Sequence, residues 1–106
     1  MLESKFKSDV LERIRSIFEG CEILHNDSRA RPGVPDTLIL WEEHWAMLEF
    51  KKSSTARKQP NQEYYVDFFD KMSFAAFIFP ENEEEVIREL KEAFGRTRRK
   101  ARLSKS

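Results

Sequence analysis

The sequence predicts one domain of mixed helix and strand, in the α/β (α+β) class, built on a mixed four-stranded sheet. Apolar residues recur at three- and four-residue spacing near both ends of the chain, which is typical of helices. Two strand-like runs around a short polar break indicate an antiparallel hairpin. A later helical segment followed by an apolar run indicates a crossover to a parallel strand. The expected order is αβββαβ, followed by a C-terminal helix.

Composition bounds the class of protein. The chain has 106 residues, 40% of them hydrophobic and 36% charged, which suits one globular domain with a single core. No apolar run has the length of a membrane span, and no secretory leader is recognisable. A single cysteine, Cys21, excludes an internal disulfide and fits a reducing compartment. We therefore expect a cytoplasmic domain that does not associate with membranes.

The first half of the chain predicts a helix and three strands. Residues 3–19 have the apolar spacing of an amphipathic helix, and Gly20 supplies a stop. A short strand is expected at residues 21–25, before a loop that is rich in turn-forming residues. The alternating runs at 37–41 and 45–51 then predict the two strands of the hairpin.

The second half begins with a predicted helix at residues 61–72, for which Pro60 suits the first turn. Aromatic and Met side chains form an apolar stripe on this helix. Such a stripe usually belongs to the core, and together with Tyr64 it also offers material for a dimer interface. The members of the stripe are Tyr65, Phe68, Phe69 and Met72. The continuous apolar run at 74–79 predicts a fourth strand that is buried on both faces and parallel to the third.

A last helix and a basic tail are expected at the C-terminus. Asn82 is the predicted N-cap, with Glu85 at the third helical position, and Gly95 is expected to end the helix. Residues 96–106 contain six bases and no acid, whereas the rest of the chain has 13 bases against 19 acids. We expect a domain of residues 1–95 followed by a disordered tail that supplies electrostatic affinity for a polyanion.

The polar residues of the hairpin are the strongest functional signal. Side chains alternate between the two faces of a strand, so Glu49 and Lys51 are expected to share a face. A two-residue turn at Glu43-His44 would place Asp36 opposite Lys51 and on the same face as Glu49. A turn of odd length would send Asp36 to the other face. The hypothesis therefore requires an even turn, or a bulge that restores the facing.

These residues resemble a known nuclease motif. Pro35-Asp36 followed by Glu49-Phe50-Lys51 resembles the PD-(D/E)XK pattern, and the lead-in from Arg29 to Pro35 with the later Gln62 resembles the small VRR-NUC branch. The resemblance covers the chain roughly from Glu3 to Asn82. It implies a restriction-endonuclease-like core and an endonuclease that hydrolyses DNA phosphodiester bonds with Mg²⁺ or Mn²⁺.

The resemblance also implies roles for individual residues. Asp36 and Glu49 are the expected metal ligands, and Glu3 and the backbone carbonyl of Phe50 are additional candidates. Lys51 would orient the attacking water, with Gln62 beside it. Basic residues in three segments are expected to contact DNA: Arg29, Arg31, Lys52, Arg57, Lys58, Arg98, Arg99 and Lys100.

The small family members that the chain resembles imply branched DNA as substrate, chiefly Holliday (four-way) junctions, and a homodimer acting in DNA recombination and repair. The expected location is the cytoplasm of a bacterium or a phage-infected cell. Three alternatives remain open. One is a nicking or restriction-like nuclease on duplex or flap DNA, and another is an inactive DNA-binding module on the same fold. The third is a protein-interaction domain whose basic tail engages an acidic partner or RNA.

Overall fold

The computed structural model of the protein describes residues 3–27 and 29–105, with side chains described for residues 4–27 and 29–95. In chain order the elements are α1 (Glu3–Ile17), β1 (Glu22–His25), β2 (Thr37–Trp41), β3 (His44–Phe50), α2 (Pro60–Met72), β4 (Ala75–Ile78) and α3 (Glu83–Lys105). This order confirms the predicted αβββαβ core and C-terminal helix. No helix in the described ranges is long and apolar enough to cross a membrane.

The four strands form one mixed sheet in the order β1-β2-β3-β4. The first three strands are antiparallel to their neighbours, and β4 is parallel to β3, as predicted for the crossover through α2. The hairpin turn is Glu42-Glu43, since Trp41 pairs with His44. Glu42 has a φ of 56°, and favoured two-residue hairpin turns use positive φ at this position.

The hairpin register corrects one prediction. Thr37 pairs with Leu48, so Asp36 comes level with Glu49, where the sequence predicted Lys51 as its partner. The error is two residues, because the turn lies one position earlier than expected. An even shift keeps every side chain on the same face. The two acids and the lysine therefore still share one face.

Helices α1 and α3 cover one face of the sheet and enclose the core. Buried side chains of both helices meet the inward residues of β2 and β3, among them Ile39, Leu48 and Phe50. The two helices are also joined by ion pairs from Arg13 to the carboxylates of Glu83 and Glu84, each at 2.8 Å. Helix α2 lies on the opposite face, against β3 and β4.

The apolar stripe of α2 is not buried in the core, which corrects one of the two expectations for it. No residue of α2 is buried, and Tyr64, Phe68 and Met72 are among the exposed large hydrophobic residues. Helical spacing shows that a stripe exists, but the chain supplies too little partner surface on this face to cover it. The two-sided burial expected for the fourth strand is also incomplete. Phe77 and Phe79 are only half-buried, because β4 is an edge strand.

Helix α3 begins where the sequence predicted, directly after Asn82, but it ends later than predicted. The Asn82 side chain accepts a hydrogen bond from the Phe79 N–H at 2.9 Å and donates to the Phe77 carbonyl at 3.0 Å, so it stabilises the preceding turn. The helix continues through Gly95 to Lys105. Residues 96–105 are mostly Arg, Lys, Ala and Leu, and these favour helix enough to offset the cost of about 1 kcal/mol for one internal glycine. The domain boundary at residue 95 stays a prediction.

Candidate active site

Two carboxylates meet at the open end of the β2–β3 hairpin. The backbone N–H of Asp36 donates to Glu49 Oε1 at 3.1 Å, and the hydroxyl of Thr37 donates to Asp36 Oδ1 at 2.7 Å. Pro35 limits the backbone immediately before Asp36, and the Pro35 carbonyl accepts a hydrogen bond from the Asn26 side chain at 2.7 Å. The aspartate is therefore held by its own backbone and by the neighbouring loop.

Burial and charge act strongly on Glu49. Glu49 is only 7% exposed to solvent. Burial, and secondarily the negative charge of Asp36, raise the pKa of Glu49 to about 7. The positive charge of Lys51 and the hydrogen bond from Asp36 oppose this rise. A partly buried pair of carboxylates is thus concentrated at one point of the surface.

Gln62 joins the acidic and basic parts of the site. Lys51 Nζ donates to Gln62 Oε1 at 2.8 Å, and Gln62 Nε2 donates to Glu49 Oε2 at 3.2 Å. Lys51 Nζ also donates to the Arg57 carbonyl at 3.1 Å. The Gln62 side chain reaches back to accept the Gln59 N–H at 3.0 Å, as in a capping box. One amide therefore fixes the start of α2 and orients both Lys51 and Glu49.

Lys7 was not predicted from the sequence, and the fold brings it to the same site. Its Nζ lies 3.7 Å from Asp36 Oδ1 and 5.4 Å from the centre of the Phe50 ring. Lys7 also lowers the pKa of Glu49, as the smallest of the resolved causes. The available signal was its position four residues after Glu3, which puts both residues on one face of α1.

For two of the predicted metal ligands, Glu3 and the Phe50 carbonyl, no described contact tests whether they reach the site. The side chain of Glu3 lies outside the described ones, although Glu3 begins α1 as expected. The ring of Phe50 is buried against Phe6, with ring centres 5.9 Å apart, and no described contact tests its carbonyl oxygen. Both remain predictions.

The predicted DNA-binding residues divide into three groups. Lys52 and Arg57 are exposed in the loop between β3 and α2, close to Lys51. Lys58 is half-buried, with its Nζ 4.7 Å from the Phe77 ring centre. Arg29 and Arg31 are exposed on the loop before β2, where Arg29 pairs with Asp27 at 3.1 Å and Arg31 lies over the Tyr65 ring at 5.6 Å. The side chains of Arg98, Arg99 and Lys100 are outside the described ones.

A second group of potential ligands lies at the other end of the hairpin. Glu42, Glu43 and His44 bring two carboxylates and an imidazole within 4.8 Å of one another. None of the three is among the ligands predicted from the sequence. The His44 ring is buried and stacks on Phe94 with ring centres 5.2 Å apart, as expected of a structural residue. The turn lies at the opposite end of β2 and β3 from Asp36 and Glu49, so it belongs to a separate part of the surface.

Gly33 connects the loop before Asp36 to helix α2. It has a φ of +95°, and a Cβ at this position would lie 2.4 Å from the Asn61 Cβ and 2.9 Å from the Asn61 carbonyl carbon. A cleft of about 330 Å³ lies beside this contact, lined by the Pro32–Gly33 segment and the start of α2 as far as Gln62. The close approach therefore places the loop next to the residue that orients Lys51.

We expect Gly33→Ala to destabilise the protein by about 2–4 kcal/mol, from backbone strain and from overpacking against Asn61. Gly20→Ala is the matched control, because Gly20 also has positive φ, at +86°, but no atom lies within 4 Å of the point that a Cβ would occupy there. Denaturant unfolding of both variants separates the two contributions. Equal destabilisation would contradict a steric role for the contact between Gly33 and α2.

The order of helices and strands defines the fold. A helix is followed by an antiparallel hairpin and by a crossover through α2 to a parallel strand, as in PD-(D/E)XK-like nuclease folds. A solved structure described as a VRR_NUC domain is similar, with 21% sequence identity and a TM-score of 0.56. The similarity covers 76% of this chain and 92% of that one. The chain therefore has the VRR-NUC type of nuclease fold.

The two sequence-based comparisons add no relative. No family model matches the chain, and no curated protein matches it. The similarity that the comparisons show therefore lies in the fold.

The donor atoms at the site suit a hard divalent cation. Asp36 and Glu49 offer carboxylate oxygens on one face, and such oxygens are the preferred ligands of Mg²⁺ and Mn²⁺. The raised pKa of Glu49 has burial and Asp36 as its main causes, so part of it reflects like charges that a cation would compensate. The residues present thus fit the kind of metal that PD-(D/E)XK folds usually use.

Proposed function

We propose that this chain is a divalent-metal-dependent endonuclease that hydrolyses phosphodiester bonds in DNA and acts selectively at four-way junctions. The observation that carries the proposal is the placement of Asp36 level with Glu49, with Lys51 held beside them by Gln62. These residues would bind Mg²⁺ or Mn²⁺ and a scissile phosphate together. The proposal extends to a cytoplasmic role in DNA recombination and repair.

The chain's own groups have distinct tasks in this reaction. Asp36 and Glu49 would hold the cation through carboxylate oxygens, and the bound metal would acidify a water and offset phosphate charge. Lys51 would orient the water towards phosphorus and stabilise the charge that develops as the bond to the leaving oxygen breaks. Gln62 keeps the ammonium group in position through its 2.8 Å hydrogen bond. Without the cation, the carboxylates would repel the DNA.

Basic groups around the site would guide the DNA backbone. The body of the chain is acidic, so local cations must supply the attraction. Lys52, Arg57 and Arg31 are exposed on the loops that flank the site, and we assign them to phosphate contacts. The six bases of residues 96–106 are assigned to additional, sequence-independent affinity.

A cleavage assay with defined DNA substrates tests this function. Immobile four-way junctions, flaps, nicked duplex and linear duplex are incubated with the protein and Mg²⁺ or Mn²⁺, and a chelator serves as control. We expect metal-dependent cleavage that favours the junction. Equal cleavage of linear duplex would support the nicking or restriction-like alternative, and DNA binding with no cleavage in either metal would support an inactive module.

An exposed apolar surface supports a homodimer. Tyr64, Phe68 and Met72 are exposed on α2, and Leu24 and Leu40 are exposed on the two strands of the sheet that α2 does not pack against. Large exposed apolar patches commonly mark interaction sites, and aromatic and Met side chains are enriched at interface centres. We propose that a second copy of the chain covers this surface. A two-fold dimer would supply the two active sites needed for paired incisions at a junction.

The dimer is tested by introducing charge at the centre of the apolar surface. Phe68 is 44% exposed, so Phe68→Lys should leave the monomer folded. We expect the dimer dissociation constant to rise about 100-fold or more, because each copy buries a charge and loses an aromatic contact. Sedimentation velocity at several concentrations measures the change. Glu63→Gln, on the other flank of α2, changes the net charge by the same amount and is the control. A wild-type protein that keeps the mass of a monomer at every concentration would contradict the dimer.

A further inference from the structure

Lys7 occupies an unusual position for a lysine on an amphipathic helix. It lies on α1, next to the buried Phe6, and its own side chain is 25% exposed. Its Nζ lies 3.7 Å from Asp36 Oδ1 and above the face of the Phe50 ring. The stem is therefore held against the sheet, and the ammonium group points at one of the two acids that would bind metal.

The contact between Lys7 and Asp36 is an ion pair with little hydrogen-bond character. A distance of 3.7 Å exceeds the range of N–H···O hydrogen bonds, so the attraction is mainly between charges. Lys51, the other ammonium group at the site, is engaged by Gln62 and by the Arg57 carbonyl. Lys7 therefore faces Asp36 without a directional hydrogen bond to it, and its ammonium group can move away at little cost in free energy.

We propose that Lys7 is a positioning residue that holds the place of the divalent cation in the metal-free site and competes with that cation for Asp36. The proposal rests on the proposed metal-dependent function and adds a residue that tunes its metal requirement. In the metal-free protein, the ammonium group limits repulsion between Asp36 and Glu49. When the cation binds, the positive charge of Lys7 opposes it and the ammonium group withdraws from Asp36.

The same helix provides a matched control. Lys5 forms an ion pair with Asp9 at 3.0 Å, and its side chain is 67% exposed. Lys5→Met and Lys7→Met remove the same charge from the same helix and keep a flexible apolar stem. Only the second variant changes the charge that faces Asp36. Exposed i,i+4 pairs contribute little to stability, so Lys5→Met should be almost silent.

The experiment measures Mn²⁺ binding by isothermal titration calorimetry and thermal unfolding with and without Mn²⁺. For Lys7→Met we expect Mn²⁺ affinity to increase about tenfold. This is the size expected when the water-screened Coulomb repulsion between one ammonium group and a nearby dication is removed. Its melting temperature should fall in the metal-free protein, and this loss should disappear at saturating Mn²⁺. Lys5→Met should change Mn²⁺ affinity less than about twofold, and Lys7→Arg should retain the wild-type affinity.

The outcomes are distinguishable. Unchanged or weaker Mn²⁺ binding in Lys7→Met would overturn the proposal, because the removal of a competing positive charge must raise the affinity for Mn²⁺. Absence of Mn²⁺ binding in the wild type would instead contradict the proposed function, together with the competition that depends on it. Lys7→Gln replaces Lys7→Met if the latter does not fold. Equal loss of metal-free stability in the Lys5 and Lys7 variants would overturn the role of Lys7 as a placeholder.

Discussion

Asp36→Asn, Glu49→Gln and Lys51→Met are each expected to reduce DNA cleavage by about a thousandfold or more. Each change preserves the size of the side chain and removes its charge. The two amides would bind a hard cation far more weakly than carboxylates, and methionine cannot donate to a water or a phosphate. The backbone bond from Asp36 to residue 49 can survive in all three variants, because an oxygen acceptor remains there.

The measurement is single-turnover cleavage of a labelled junction, with circular dichroism to verify the fold of each variant. Asp67→Asn is the matched control, because Asp67 is exposed on α2 and pairs only with Lys71 among its described ion pairs. Calorimetry should show that the Mn²⁺ signal is lost in the two acid variants. Cleavage at near wild-type rate by any of the three would contradict the assignment of this site.

Glu49→Gln is expected to stabilise the metal-free protein by about 1–3 kcal/mol at pH 8, and to change its stability very little at pH 4. In the folded protein the pKa of Glu49 is raised to about 7, above its ordinary value of 4.5. Below pH 4.5 the carboxyl group is protonated in both states. Between pH 4.5 and 7 the unfolded chain loses this proton while the folded chain keeps it, so wild-type stability decreases as pH rises.

Above pH 7 the folded protein contains a buried charge beside Asp36, and the full destabilisation is present. Glutamine removes that charge. Its amide is a weaker acceptor than a carboxylate for the hydrogen bond from Gln62 Nε2, which reduces the gain in stability. Urea unfolding of both proteins from pH 4 to pH 8 in a chelator measures the difference. Glu85→Gln, at an exposed position of α3, should change stability by less than about 0.5 kcal/mol. A difference that does not grow with pH would refute the burial argument.

Divalent metal should reverse the effect of pH on the wild type. A cation binds the deprotonated form of Glu49, so Mn²⁺ affinity is expected to rise with pH up to about 7 and then to level off. The stabilisation by Mn²⁺ should therefore be greatest where the metal-free protein is least stable. The Glu49→Gln variant should lack this dependence.

Much of the architecture follows from local patterns in the chain. The order of helices and strands is readable because periods of 3.6 and two residues are properties of the backbone. The same period of two places Glu49 and Lys51 on one face in any register of the strand. Pro35 and Gly33 mark the approach to Asp36. Proline restricts the backbone angles of the loop, and glycine allows the positive φ that other residues rarely adopt. The motif could therefore be recognised before its geometry was known.

By itself, then, the sequence determined the element order, the sharing of one face by Glu49 and Lys51, and the presence of an apolar stripe on α2. The two-residue turn, which only the folded structure shows, decided that Asp36 joins that face. Tertiary structure alone decided that Asp36 comes level with Glu49, because strand periodicity specifies a face and the position of the turn specifies the partner. It alone left Phe68 exposed, since burial depends on what other elements can cover. It alone brought Lys7 to Asp36, because contacts between a helix and a distant loop depend on how elements pack, which no local pattern records.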